Sequence, residues 1–242
     1  EAIARARAAG VQAQIVPAVT AASWPGLREL CQREPGLHPA YGLHPLFLAE
    51  HRSEHLGALR DWIKREKPVA VGECGLDFWI DPLNRNEQQC YFIAQLQLAR
   101  EFDLPVILHA RKAYDEVAAA LRRIGGLRGV VHSFSGSRAQ AERFWDLGFH
   151  LGIGGPITYE RAKRLRGIVA AMPIEFLLLE TDSPDQPLTG RQGRRNEPAY
   201  LTEVLAVVAA LRGEDEHSIA AATRANTERL FNLPRARMPA GD

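Results

Sequence analysis

Short apolar runs alternate with helix-period segments almost without interruption along these 242 residues. The runs fall at Val11–Val16, Pro39–Leu43, Val69–Gly72, Val106–Leu108, Val130–Val131, Phe149–Ile153 and Phe176–Leu179. They are short and unbroken, as strands buried on both faces should be. Helical periodicity fills the intervals: Trp24–Arg33, Glu54–Glu66, Asn86–Phe102, Tyr114–Ile124, Ser137–Leu147 and Tyr159–Met172. Two further helices, Glu197–Leu211 and Ser218–Phe231, close the pattern. Strict strand–helix alternation predicts a parallel sheet covered by helices. The length suits one α/β barrel, and no linker, low-complexity segment or short repeat divides it, so a single domain over 1–242 is expected. The predicted fold is α/β, a TIM-type (β/α)₈ barrel. Such a barrel needs eight strands. Seven are counted and Glu1–Arg7 reads as helix, so the first strand is expected to be lacking, its place being before Glu1.

Composition excludes little but bounds the setting. Hydrophobic residues make up 46% and charged residues 24%, as in ordinary globular proteins. No stretch of about 18 apolar residues offers a membrane span, and no secretory signal is expected from the charged opening segment. Cys31, Cys74 and Cys90 form no CxxC pair, so a reducing, cytoplasmic location is expected. A formal net charge of +1 implies no global attraction to acidic partners. A nucleic-acid enzyme would need a local basic patch instead.

Four of the apolar runs end on residues that bind metals: Glu73, His109, His132 and, after Glu180-Thr181, Asp182. The carboxyl ends of the strands of a parallel barrel converge on one mouth, where active sites are built. Residues scattered in sequence can therefore meet there. Any one of the four alone reads best as an unrelated polar residue; four in succession at the same strand end predict a divalent-metal site. Imidazole and carboxylate ligands suit Zn, Mn, Ni or Fe, and carboxylates alone suit Mg. A divalent ion lowers the pKa of its water toward about 7, and Asp182 is placed to hold that water or accept its proton.

The residues around these ligands form long, ordered motifs. Gly72-Glu73-Cys74-Gly75-Leu76-Asp77 resembles the GExGLD motif of the TatD family of metal-dependent deoxyribonucleases. Leu104–Arg111 is similar to its LPVxxHxR, His132–Ser137 to its HxFSGS, Glu180–Pro184 to its ETDxP, and Arg195–Pro198 to its RNxP. Gly42–Pro45 resembles its GxHP, and Asn226-Thr227 with Leu230-Phe231 its closing pattern. The likeness runs from about Val11 to Phe231, and Gly154-Gly155 with Ile157-Thr158-Tyr159 is most similar to the YjjV branch. The resemblance implies a distorted TIM barrel of the metallo-dependent hydrolase type with two divalent ions. It implies that Glu73 bridges both, that His109 and His132 complete one, and that Asp182 binds the other and activates water. The family's second ion also takes an HxH pair from the first strand, and this sequence has no such pair. One good metal site and one crippled site are therefore expected.

Weaker signals surround this set. His44 reads either as a turn histidine before a proline or as a substrate contact. Arg111, two residues beyond His109, is expected to clamp phosphate with its two-pronged guanidinium. Arg191, Arg194 and Arg195 lie in a Gly-containing loop where barrels often hold phosphate; for Arg191 and Arg194 a solvated loop is the preferred reading. Backbone amides at Ser135 and Gly136 could meet an anion, or serve loop packing alone. Asp77 is expected to orient ligands. Glu180 should orient the site or pair with an arginine, and Cys74 should be a buried small residue. Trp79 could stack on a base. Arg161, Lys163, Arg164 and Arg166 read as a solvated helix face.

The leading functional expectation is a metal-dependent phosphodiesterase using activated water. By resemblance its substrate is the 3′ end of a DNA strand, or RNA, so nucleic acid is the expected partner. The same ligands would serve a barrel hydrolase acting on amides or esters. A third reading is a crippled nucleic-acid-binding protein without turnover.

Overall fold

A computed structural model describes residues 1–80 and 84–234. Seven parallel strands form one sheet in which each strand pairs with the next in chain order: β1 (Gln14–Pro17), β2 (Leu37–Tyr41), β3 (Ala70–Asp77), β4 (Val106–Arg111), β5 (Gly129–Val131), β6 (Phe149–Ile153) and β7 (Leu177–Leu179). The sheet curls into a partial barrel of TIM type. Nine helices are found among the described residues: α1 (Ala2–Ala8), α2 (Trp24–Arg33), α3 (Glu54–Glu66), α4 (Arg85–Glu101), α5 (Tyr114–Ile124), α6 (Arg138–Asp146), α7 (Lys163–Ala171), α8 (Leu201–Arg212) and α9 (Glu216–Leu230).

Alternating residues along each strand face opposite sides, and the packing follows that rule. Ile107, Val130 and Leu178 join Ala40 and Ala70 in an inner cluster. Their neighbours Leu108, Val131 and Leu177 pack outward against helix residues such as Leu96, Val117 and Phe144. Continuous apolar runs were required because both faces are covered. Leu230 and Phe231, at the end of α9, complete the inner cluster. Asn226 anchors that helix by donating to the carbonyls of Ile174 and Leu177, at 2.7 and 3.0 Å. Leu177 opens β7, so α9 closes the amino end of the barrel and leaves the carboxyl end as the mouth.

Helix starts follow local chemistry. Asn84 caps α4 by accepting from the Glu87 amide, Asp215 caps α9 through Ser218, and Ser137 with Gln140 forms a capping box on α6.

The structure corrects several sequence boundaries. β1 starts at Gln14, not Val11. Residues Gly155–Thr158 form a 3₁₀ turn, and the helix expected from Tyr159 begins only at Lys163. Phe176 belongs to another such turn, leaving β7 three residues long. Most consequential, β3 does not stop before Glu73 but runs to Asp77, and β4 runs past His109 to Arg111. Their register shifts between Val71 and Cys74. An irregularity of this kind breaks the simple alternation and re-aims side chains. Gly75 lies in the same stretch at φ +152, where a Cβ would strike the His109 carbonyl oxygen; only glycine permits the two backbones to approach so closely.

Candidate metal centre

Three imidazoles converge on one carboxylate oxygen. Glu73 Oε1 lies 2.9 Å from His44 Nε2, 3.2 Å from His109 Nδ1 and 3.4 Å from His132 Nε2. The histidines come from the carboxyl ends of different strands: His44 beyond β2, His109 within β4, and His132 immediately after β5. Glu73 is buried. Burial opposes its ionisation, but the nearby His132 charge and the hydrogen bonds to His109 and His44 hold the carboxyl well below its ordinary range.

Each imidazole has a second anchor that fixes its ring. His44 Nδ1 accepts from the Leu46 amide at 3.1 Å, so Nε2 carries the proton directed at Glu73. His109 Nε2 lies 2.9 Å from Asp77 Oδ2. Asp77 is wholly buried, and its other oxygen accepts from the Trp79 amide at 2.9 Å. His132 Nδ1 faces Glu180 Oε1 at 3.3 Å and Asp182 Oδ1 at 3.9 Å. Burial disfavours a charged imidazole at His132, but Glu73, Glu180 and Asp182 outweigh it and raise its pKa to about 10. Asp182 is pushed up to about 6, first by burial and then by the Glu180 and Glu73 charges, against the pull of His132.

The chain beyond β7 shapes this side of the mouth. Asp182 sits at φ +59, and Gln186 Nε2 donates to its Oδ2 at 2.5 Å. Glu180 Oε1 accepts from the Ser133 amide at 2.7 Å. A Cβ at Gly152 would collide with the Glu180 carboxylate, so glycine on β6 makes room for this contact. β7 ends at Leu179, so the loop that follows it, and not the strand, places Glu180 and Asp182.

The other candidates are distributed unevenly. His44 serves both as a turn cap and as a neighbour of Glu73, and ligand atoms of His44, Glu73 and His109 all lie within 4.8 Å of one another. Arg111 reaches the mouth with Nη1 4.0 Å from Asp77 Oδ2. Ser135 is bound to Tyr114: its amide donates to the phenol oxygen at 2.9 Å and its Oγ lies 3.1 Å from the same atom. Its carbonyl accepts from Arg164 at 2.8 Å. Arg195 is exposed, and among the described residues no hydrogen bond or ion pair joins it to the Glu73 cluster. Arg191 pairs with Glu203. Cys74 is buried, and burial raises its thiol pKa. Arg164 and Arg166 correct the expectation of a purely solvated face, since Arg166 donates to the Ile157 carbonyl at 2.9 Å and Arg164 to Ser135.

Sequence reasoning missed the amides that hold the cluster. Gln95 on α4 is fully buried, accepting from the Leu43 amide at 2.7 Å and donating to its carbonyl at 3.1 Å. Gln88, two turns earlier, makes the same paired contact with Asp77, at 2.8 and 2.9 Å. Leu43 precedes His44, and Asp77 holds His109, so one helix face fixes two of the imidazoles. Asn196 directs Nδ2 at the carbonyls of Thr181, Asp185 and Gln186, clamping the loop that carries Asp182. The available signal was two glutamines seven apart on one helix face, with nothing to mark them as buried.

One buried carboxylate with convergent imidazoles is a donor set suited to a borderline divalent ion. Anchored second nitrogens are what such ligands require. The residues therefore fit a metal.

The chain matches the model of the TatD-related DNase family over residues 1–232. It is 46% identical to the metal-dependent hydrolase YjjV of Escherichia coli K12, covering 95% of this chain and 90% of that protein. It is 38% identical to the 3′-5′ ssDNA/RNA exonuclease TatD of Klebsiella pneumoniae strain 342, over 96% and 91% of the two chains. The crystal structure of the Escherichia coli YjjV protein superposes with a TM-score of 0.93 at 44% identity, covering 96% of this chain and 91% of that one.

Proposed function

This chain belongs to the TatD-related DNase family and is a metal-dependent hydrolase; we propose that it hydrolyses phosphodiesters, releasing nucleotides from the 3′ end of single-stranded nucleic acid. The observation that carries this reading is the convergence of His44, His109 and His132 on Glu73, with Asp182 beside them and Arg111 at the rim. Direction and substrate follow the exonuclease activity named for the Klebsiella pneumoniae relative.

In this reading Glu73, His109, His132 and Asp182 hold divalent metal, and His44 joins them through its contact with Glu73. When bound, the metal supplies Lewis-acid polarisation of the phosphoryl oxygens and acidifies water at the site. Asp182 Oδ1, beside His132, accepts the proton of the attacking water. Gln186 holds the other oxygen, Oδ2, in place. Glu180 and Asp77 keep His132 and His109 oriented. Arg111 grips a non-bridging phosphate oxygen and steadies charge as it develops.

The test is stepwise shortening of 5′-labelled single strands from the 3′ end, with mononucleotides released, on addition of divalent metals. Loss of release on chelation and in Asp182→Asn supports the proposal. Release that survives both treatments ends it.

A further inference from the structure

Among the described residues Trp79 is the most exposed of the large hydrophobic side chains, at 54%, although it follows Asp77 by only two residues at the mouth. It is also held in place: its amide donates to Asp77 Oδ1, while Asp77 Oδ2 meets His109. Two cations from the end of β4 lie against its ring, the Arg111 guanidinium carbon 4.9 Å and Lys112 Nζ 4.0 Å from the centroid. Among the described residues no carboxylate pairs with Lys112. An exposed aromatic plane and two positive charges are thus tied through one buried carboxylate to the metal centre.

An indole offered to water beside phosphate-binding cations matches a ligand that joins flat π surfaces to a repeating negative charge. An unpaired nucleotide has both. A duplex does not present its base faces, because they are stacked on one another. We propose that Trp79, Arg111 and Lys112 form a subsite in which one unpaired base stacks on the indole and the adjoining phosphate pairs with the cations. The subsite rests on the phosphodiesterase reading, and it makes single-strand preference a property of this rim. Trp79 acts in positioning, since it does not touch the reacting atoms.

The experiment measures binding of a short single-stranded phosphorothioate oligonucleotide to the metal-loaded full chain, and of an abasic strand of equal length and charge. Tryptophan fluorescence provides the signal in wild type, and anisotropy of a labelled strand serves every variant. Trp24 is buried and Trp62 and Trp145 are half-buried, so quenching reports chiefly on Trp79. Trp79→Ala is expected to weaken the base-bearing strand about ten-fold or more, Trp79→Phe to restore most of the loss, and the abasic strand to bind wild type and Trp79→Ala alike. Trp79→Leu keeps apolar volume without a π face and is expected to lose the same affinity, which covers an alanine variant that does not fold. Equal binding of the base-bearing strand by wild type and Trp79→Ala overturns the subsite and leaves the phosphodiesterase reading standing. Equal weakening of both strands overturns it too, since the loss is then not one of stacking. A wild-type protein that neither binds nor trims a single strand removes the phosphodiesterase reading itself.

Discussion

Asp77 Oδ2 lies 2.9 Å from His109 Nε2, and the carboxylate that makes this contact is wholly buried. The pair fixes the ring so that His109 Nδ1 faces Glu73. A carboxylate behind a ligating histidine sets its tautomer and raises its basicity. Asp77→Ala is therefore expected to cost about 10- to 100-fold in metal affinity, measured by titration of the chelated protein with Zn²⁺ or Mn²⁺. Unchanged affinity would mean that His109 is oriented without Asp77.

Arg111 separates phosphodiester chemistry from amide or ester hydrolysis. Its guanidinium stands at the rim, 4.0 Å from Asp77, and retains outward donors. A charged hydrogen bond to phosphate contributes about 1.5–3 kcal/mol, so Arg111→Ala should lower kcat/KM for a phosphodiester roughly ten-fold or more. A neutral amide or ester should be affected far less. Steady-state kinetics on both substrate classes decide the matter, and equal losses would argue against a phosphate role.

Gln95 tests whether α4 holds the site together. In Gln95→Leu the Leu43 amide and carbonyl lose their buried partner. Each unsatisfied group costs about 1–3 kcal/mol, so the urea midpoint should fall, and metal affinity should drop with it because His44 is the next residue. A variant that is destabilised but binds metal normally would confine Gln95 to a packing role.

Histidines outside the Glu73 cluster predict an acid sensitivity. Burial lowers the pKa of both His38 and His150. The unfolded chain then binds more protons than the folded one between the lowered pKa values and the unperturbed pKa of about 6.5. The contribution of these two histidines is complete above about pH 6.5 and is lost as pH falls below it, by at most about 1.4 kcal/mol per pH unit for each. Urea melts of the chelated protein between neutral pH and pH 5 should show the decline, and His150→Leu should flatten it. An unaltered slope would assign the acid loss to other groups.

Much of the architecture was legible in the residues. Apolar runs this short, without a polar face, read as strands covered on both sides, and their alternation with helix periods leaves a parallel sheet with helices around it. The ends of those runs located Glu73, His109, His132 and Asp182 near one mouth, because a parallel sheet sends all its carboxyl ends the same way. His44 was visible as a candidate, but its two roles were not separable, since nothing local says that a turn histidine will also meet a carboxylate 29 residues away.

The sequence by itself determined the fold class, the family and the end of the barrel that carries the chemistry, since these depend on periodicity and local motifs. Tertiary structure alone decided which imidazole meets which oxygen. The register shift in β3 aims Glu73 inward from the middle of a strand, a left-handed residue turns Asp182 toward His132, and Gln88 and Gln95 reach from a helix to clamp backbone at Asp77 and beside His44. Ser135 and Arg195 were marked by their motifs, yet one is bound to Tyr114 and the other is exposed to solvent. Contacts of this kind join residues distant along the chain, and their geometry is set by packing of whole elements, which no local pattern of residues encodes.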